Sequence, residues 1–444
     1  MMGTCPSGRC RSLTLALIIA DDLTGATDSG LQFAALGRSV QVMLTAGPVG
    51  TPEPDVVVVN TDSREWHSER ARLHIAKLAE AWPLAETPLV IKKIDSTLRG
   101  NIGGEIEGIL STGLFEAAVV LPAYPANGRL TLQGVHLVHG VPLENTEFNR
   151  SKADETLLQC GSTEALSKDP LSLGLENNLR SSLPAIVQDQ ISGTVEHWEL
   201  DSIRDGNIET RMRSGLRSGT AVFTCDCESN EDLDLLVKQV LATNRRILWV
   251  GSAGLAAALA PFIDGDVSVA SEPVLSVISQ RPLVVVGSRS VTTKEQFQRL
   301  VDSRACVVLD LCAKDILDPT SIILDHWVSR LAESDGLAVL RLDEEPLTAF
   351  GLTAKDGAEA LAKVARQLIE VFGFDGLVLT GGETAMCVCQ ELDIRGLTVI
   401  GCVEEGIPLC TANPAVQPVV TKAGGFGSEW ALVKAVRCLE RGLE

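Results

Sequence analysis

Short runs that are apolar on both faces recur along this chain, each separated from the next by a stretch with helical spacing. Residues 13–19 (LTLALII), 56–59 (VVVV), 89–94 (LVIKKI) and 117–121 (AAVVL) read as buried strands. Residues 25–36, 67–81 and 101–111 read as the helices between them. A strand that is apolar on both faces must be covered on both, which is the situation of a parallel sheet flanked by helices. A more polar stretch, 150–190, interrupts the pattern. It resumes with a strand at 221–224, a helix from 230 and a strand at 247–250. Residues 261–281 carry Pro, Gly, Ser and acid with weak periodicity and read as a linker. Beyond them, 283–286, 306–309, 337–342 and 377–379 are strands again. The expectation is an α/β protein of two α/β domains, 1–260 and 282–444, with mostly parallel sheets and an active-site cleft between them. There is no fixed-period repeat.

Composition narrows the partners. The 444 residues carry 58 Asp and Glu against 38 Lys and Arg, a net charge of -20. Nucleic acid and anionic membrane both call for a basic surface, so neither is expected. Aromatics are 4% with a single Tyr, which removes the stacking platforms of a single-strand binder. Apolar residues at 45% are ample for real cores and leave room for a homodimer. The 12 Cys include no zinc-spaced CxxC pair. The pairs Cys225/Cys227 and Cys387/Cys389 read as buried reduced thiols. The leader MMGTCPSGRCRSL precedes an apolar run that leads straight into Asp21 and Asp22, with no small-residue cleavage site. No apolar stretch reaches the ~18 residues needed to span a bilayer. A cytoplasmic protein is expected.

Ligands of open α/β sheets bind beyond the carboxyl ends of the strands. After the first strand comes ADDLTGATD at 20–28. A helix N-cap needs one Asp, and this turn has more acid and hydroxyl than capping requires. A carboxylate here can take a proton from a sugar hydroxyl or help hold Mg²⁺. NTDSRE follows the second strand at 60–65, a pattern that a capped helix start also explains. KKIDSTLRGN follows the third at 92–101. Lys92 and Lys93 face opposite sides of their strand, so at least one enters the interior and needs a partner. Arg99 and the amides before the next helix can hold an anion. PAYPANGR at 122–129 follows the fourth strand and holds the only Tyr; a ribbon-like segment follows, with His136 and His139 too poorly placed to share a metal.

The second half differs in character. VGSRS at 286–290, TGGET at 380–384 and TKAGGFG at 421–427 each follow a strand and open a helix. Such small-residue turns let backbone amides approach phosphates. The chain has no GxxxxGK[ST], no GxGxxG after a strand, no HExxH and no GxSxG, which removes the P-loop, dinucleotide, zincin and hydrolase-elbow readings.

Taken in order, ADDLTGATD, NTDSRE, KKIDSTLRGN, PAYPANGR, GSRS, TGGETA and KAGGFG resemble the four-carbon acid sugar kinase family over nearly the whole chain. The resemblance implies an N-terminal domain that binds the sugar acid and a C-terminal domain that binds ATP. Its members phosphorylate threonate, erythronate or 3-oxo-tetronates. Carried over by position, it puts the nucleotide at Ser288, at Gly381, Gly382, Glu383 and Thr384, and at Gly424 with its neighbour Gly425. It puts the sugar acid at Asp21, Asp22, Arg64, Lys93, Asp95, Ser96 and Arg99. Mg²⁺ would accompany ATP, with no ligands assigned.

Under that resemblance, Arg64, Lys93 or Arg99 would hold the substrate carboxylate. Asp22, or its neighbour Asp21, would orient the terminal hydroxyl and accept its proton. The amides of the glycine turns, Mg²⁺ and a cation would neutralise the phosphoryl group. Two other readings stand beside it. One is a kinase of another sugar or polyol, although the Gly-Ala-Gly-Asp motif of ribokinase-like enzymes is absent. The other is a sugar-acid sensor without catalysis, although no basic helix-turn-helix segment accompanies the scaffold.

Overall fold

Five consecutive small or branched residues with no exposed member form β1 (Ala16–Ala20), and its neighbours repeat the pattern. The computed structural model describes residues 14–45, 53–146, 148, 180–263, 278–318, 327, 330–331 and 336–443. Residues 1–13, most of the polar stretch 150–190 and most of the linker 261–281 lie outside them.

The N-terminal half supplies β2 (Val40–Met43), β3 (Val56–Asn60), β4 (Leu89–Lys93) and β5 (Ala117–Leu121). A ribbon follows, β6 (Arg129–Leu132), β7 (Val135–Val138) and β8 (Val141–Pro142), then β9 (Val195–Trp198), β10 (Val222–Cys225) and β11 (Ile247–Gly251). The C-terminal half supplies β12 (Pro282–Val286), β13 (Val307–Leu311), β14 (Ala338–Leu342) and β15 (Gly376–Thr380). It ends with β16 (Gly396–Glu404), β17 (Ile407–Asn413) and β18 (Pro418–Lys422). All but the ribbon hydrogen-bond into one 15-stranded sheet in the order β13-β14-β12-β15-β18-β17-β16-β2-β3-β1-β4-β11-β5-β10-β9.

The two halves thus share a sheet. Their seam is the antiparallel pairing of β2 with β16, Val42 opposite Leu397. Only the β2, β16, β17 and β18 neighbours pair antiparallel; the rest of the sheet is parallel. The expected strands and helices are present with ends shifted by one to three residues. Short β2 and the β16–β17 hairpin carry no run long enough to be picked out from sequence.

Register then places the loops. Ala20 lies opposite both Asn60 and Lys93, so the turns after β1, β3 and β4 leave the sheet at one level. In the other half, Thr380 lies opposite both Val286 and Lys422, which brings the three glycine turns level in the same way. The helix α1 (Leu23–Ala34) crosses the seam: Thr27 Oγ1 meets Thr421 Oγ1 at 2.7 Å. Asn60 Nδ2 reaches Met386 Sδ at 3.3 Å from the same side.

Helices α2 (Ser68–Ala81) and α3 (Ile102–Leu110) cover the opposite face. Here the alternation of Lys92 and Lys93 resolves. Lys92 Nζ turns toward α3 and pairs with Glu105 Oε2 at 2.7 Å, both groups fully buried. It also donates to the carbonyls of Lys93 (2.9 Å) and Ile19 (3.3 Å), and Ser63 Oγ donates to Glu105 Oε1 at 2.5 Å. Removing one member strands a charge in the interior. Lys92→Met or Glu105→Gln alone is expected to cost about 3–5 kcal/mol in urea unfolding, and Lys92→Met/Glu105→Leu together to recover most of that. A double variant as unstable as the summed singles would show that the two do not act as a pair.

Candidate functional site

The turn after β1 folds because Asp22 caps α1: its Oδ1 accepts from the Gly25 amide at 3.0 Å and its Oδ2 from Thr24 Oγ1 at 2.7 Å. The turn after β3 is laid on it by backbone bonds from Ser63 and Arg64 to the Asp21 carbonyl. That delivers Arg64 to two carboxylates. Its Nε and Nη2 grip Asp21 at 2.8 and 2.9 Å, and Nη2 also reaches Asp22 Oδ1 at 2.7 Å. Its Nη1 stands 3.9 Å from Asp95 Oδ1. Asp95 is held in turn by Arg99 Nε and Thr97 Oγ1, each at 2.5 Å. Burial alone would raise these carboxyls, but Arg64 keeps Asp21 below the ordinary carboxylate range, and Arg99 with Arg64 holds Asp95 well below it.

Lys93 points away from Lys92, toward α1. Its Nζ donates to the Ile94 carbonyl at 2.6 Å, and a Cβ on Gly25 would stand 2.6 Å from both Lys93 Nζ and Asp22 Oδ1. The missing side chain of Gly25 is what lets ammonium and carboxylate flank the helix start. Ser96 is buried, and its carbonyl accepts from His136 Nε2 at 2.8 Å. His136 Nδ1 then accepts from Thr131 Oγ1 at 3.0 Å. Burial pushes this imidazole down to about 4, so it is a neutral brace between the ribbon and the turn after β4. The ribbon places His139 elsewhere, beside Arg129. Among the described residues no group of three His, Cys, Asp or Glu forms a metal cluster.

The second half brings its three turns into one place. The Gly381 amide donates to the Lys422 carbonyl at 2.9 Å and the Gly287 amide to the Thr380 carbonyl at 3.2 Å. The Gly424 carbonyl accepts from Ser290 Oγ (2.8 Å) and Thr293 Oγ1 (2.9 Å), and Gly424 packs directly on Ser288. Lys422, buried, donates to the carbonyls of Ala423, Gly424 and Phe426 at 2.8–3.1 Å. Desolvation pulls its ammonium down to about 7. Gly381 has φ 89° and no side-chain cap, so it leaves the amides at the start of the helix Gly382–Glu391 open. Glu383 and Thr384 lie in that first turn. Burial and the nearby Glu65 and Asp62 push the Glu383 carboxyl up.

The two groups of loops meet. A Cβ on Gly382 would stand 2.5 Å from Asp22 Oδ2 and 3.3 Å from Thr24 Oγ1. Only glycine lets the amide turn approach that carboxylate. Asp21, Asp22, Arg64, Lys93, Asp95, Ser96 and Arg99 therefore form one cluster. Ser288, Gly381, Gly382, Glu383, Thr384, Gly424 and Gly425 form another, and Asp22 touches both. Glu105 and Ser63, which brace the cluster from behind, escaped the sequence reading because they sit inside ordinary helix and turn patterns. Asp28, Tyr124 and Arg129 were visible in the quoted strings but carried no assigned role.

Comparison with known proteins finds relatives along nearly the whole chain. A family model described as a sugar-binding N-terminal domain matches residues 16–154 and 167–259. One described as a nucleotide-binding C-terminal domain matches residues 283–432. A D-threonate kinase of Salmonella typhimurium is 30% identical, covering 96% of this chain and 98% of its own. A D-threonate kinase of Cupriavidus necator is 32% identical over 94% and 96%. A D-erythronate kinase of Heliobacterium modesticaldum is 27% identical over 95% and 96%. A Haemophilus influenzae protein of known structure, 20% identical, shares the fold with a TM-score of 0.66 over 95% of this chain and 100% of that one.

One buried acid of the site is set apart by its titration. Asp28 lies one and a half turns along α1 from Asp22, with Gln32 Nε2 at 3.3 Å as its hydrogen-bond donor. Burial moves its carboxyl from 3.8 up to about 7, opposed by Lys93 and aided by Glu405 and Asp22. A folded-state value above the unfolded one means the native chain holds a proton that the unfolded chain has lost. Stability from this group is therefore lost as pH rises between 3.8 and about 7. Asp28→Asn is expected to flatten that slope and to melt above wild type at pH 8. Parallel melting curves of the two proteins from pH 4 to 8 would refute this.

Proposed function

The chain belongs to the four-carbon acid sugar kinase family, and we propose that its cleft transfers the γ-phosphoryl group of ATP to the terminal 4-hydroxyl of a four-carbon sugar acid such as threonate, erythronate or 3-oxo-tetronate. The observation that carries the reading is the contact between Asp22 and the Gly381–Gly382 turn. A carboxylate able to receive a hydroxyl proton stands against amides able to receive a phosphoryl group. The matched family models and the names of the relatives support the same assignment of the two halves, sugar acid to 1–260 and nucleotide to 282–444. The described cysteines are all free, which agrees with a reducing, cytoplasmic setting.

Phosphoryl transfer asks the protein mainly for positioning and for neutralising charge. In this reading Asp22 orients the 4-hydroxyl and accepts its proton as the bond to phosphorus forms. Arg64 fixes the direction of Asp22 by its hydrogen bond to Oδ1. Asp95 and the Ser96 hydroxyl hold the sugar hydroxyls, and Lys93 and Arg99 offer positive charge to the acid. Amides of Gly382, Glu383 and Thr384, with the Ser288 and Gly424 turns, cradle the phosphates. Mg²⁺ on ATP usually needs only one or two protein carboxylates besides phosphate and water, which suits a site without a metal cluster. Asp22 at the Gly381–Gly382 turn, joined by either Asp62 or Glu383, would hold it. Bound there, it would offset phosphate charge.

The test is coupled ADP release across the threonate and erythronate stereoisomers and their 3-oxo acids. Absence of stimulated release with every one of them would sink the proposal. Asp22→Asn keeps a capping side chain, so the fold should survive, while kcat should fall by ~10²-fold or more. Turnover near wild type would remove Asp22 from that role.

A further inference from the structure

The sequence offered several cations for anion binding, and most are already engaged. Arg64 holds Asp21 and Asp22, Arg99 holds Asp95, and Lys92 holds Glu105. Arg129 is different. It is 2% exposed, yet among the described residues no carboxylate lies within ion-pair distance of it. Its Nη1 donates to the Asn127 carbonyl and to His139 Nε2 at 3.2 Å, and its Nε is buried with no hydrogen-bond partner. A buried guanidinium without a counter-anion is costly, and the cost is offset only if an anion arrives.

There is room for one. Arg129 lines a cavity of about 600 Å³ together with His139, Thr292, Glu404, Gly425 and Ser428. Two acids share the lining, and neither pairs with Arg129: Glu404 accepts from the Ser428 amide and hydroxyl and pairs with Lys434, and Glu405 is engaged by the Tyr124 hydroxyl. The cavity is lined by the turn after β5 from one half and by the Gly424–Gly425 turn from the other. A Cβ on Gly425 would stand 3.7 Å from Arg129 Nη2 and 3.3 Å from the Phe148 ring, so the missing side chain is what lets both approach this turn. Arg99 stacks over the same Phe148 ring at 5.9 Å. Phe426 beneath the guanidinium, 5.1 Å away, fixes its plane.

We propose that Arg129 is an oxyanion-binding residue of the cleft, which closes its fork on a carboxylate or phosphoryl group entering beside the Gly424–Gly425 turn. The proposal rests on the phosphotransfer reading for the identity of that group: the carboxylate of the sugar acid or the terminal phosphoryl of ATP. Neutral His139 accepts from Nη1 and keeps the fork turned to the cavity; burial and the Arg129 charge both pull its imidazole down. Arg129 thereby links the half that binds the acid to the turn that binds the nucleotide.

Arg129→Met and Arg129→Lys, checked for wild-type melting, decide it by steady-state kinetics with D-threonate, D-erythronate and ATP. Arg129→Met is expected to lose ~10²-fold in kcat/KM, with Arg129→Lys between it and wild type because a point charge replaces the fork. If the carboxylate is the ligand, KM for the acid rises while slow turnover of threitol and erythritol, which lack it, is unchanged. If the phosphoryl group is the ligand, kcat falls on acid and polyol alike and calorimetric binding of the acid alone is unchanged. Either pattern supports the proposal. Folded variants within about twofold of wild type in kcat and both KM values would overturn it; should Arg129→Met not fold, Arg129→Lys alone decides in the same way. A wild-type protein that turns over no acid defeats the phosphotransfer reading instead. In that case calorimetry of D-threonate and ATP judges Arg129: weaker binding in the variants supports it, and equal or absent binding overturns it.

Discussion

The guanidinium of Arg64 is the interaction on which the sugar-acid half of the cleft depends. Three carboxylates, Asp21, Asp22 and Asp95, converge where β1 and β4 end, and unscreened they would repel one another inside a nearly dry site. Arg64 binds the first two in hydrogen-bond geometry and faces the third at 3.9 Å. The result is a fixed set of acceptors, with Asp21 and Asp95 held below the ordinary carboxylate range. Arg64 itself stays in place because the turn that carries it is bonded to the Asp21 carbonyl, and because Ser63 beside it is tied to Glu105 and through it to Lys92. An ion pair behind the sheet and an ion-pair cluster in front of it thus share one turn.

Strand register performs the same service across the seam. With Ala20, Asn60 and Lys93 level, and Val286, Thr380 and Lys422 level, each half presents one ledge of turns. The β2–β16 pairing and α1 bring the ledges together, and Gly382 lets them touch at Asp22. One residue therefore caps a helix, accepts from Arg64 and abuts the Gly381–Gly382 turn. Its cap role explains why the carboxylate has a single direction before any ligand arrives.

Strand ends were legible because a parallel strand declares itself by an unbroken apolar run and its functional residues follow at once. That rule found the turns that carry Asp22, Arg64, Asp95, Gly381 and Gly424. It also foresaw that Lys92 and Lys93 diverge, though not which of them is structural; Glu105 decides that, and a Glu in the first turn of a helix looks like any other. The seam was illegible for a related reason. β2 is four residues with Gln41 inside it, and β16 mixes buried and open positions, so neither shows the run. For Arg64, spacing says that a cation follows the strand, while only the fold says that two aspartates already occupy it. Arg129 went unassigned because nothing local distinguishes an Arg with a carboxylate from one without.

That distinction orders the whole cleft. On the sugar-acid side Lys92, Arg64 and Arg99 are matched with carboxylates, while Lys93 donates to the Ile94 carbonyl beside Asp22. Toward the nucleotide turns, Lys422 and Arg129 are buried against carbonyls or a ring, and desolvation pulls both below their ordinary values. A chain of net charge -20 could readily have supplied acids there. Leaving these cations unmatched costs stability in the free protein, and that cost is returned when an anion binds, because a ligand that binds only the native state adds RT ln(1 + [L]/Kd). A chain rich in acid thus keeps two buried cations without a carboxylate partner among the described residues, which is the arrangement an anionic ligand of the proposed phosphotransfer would use.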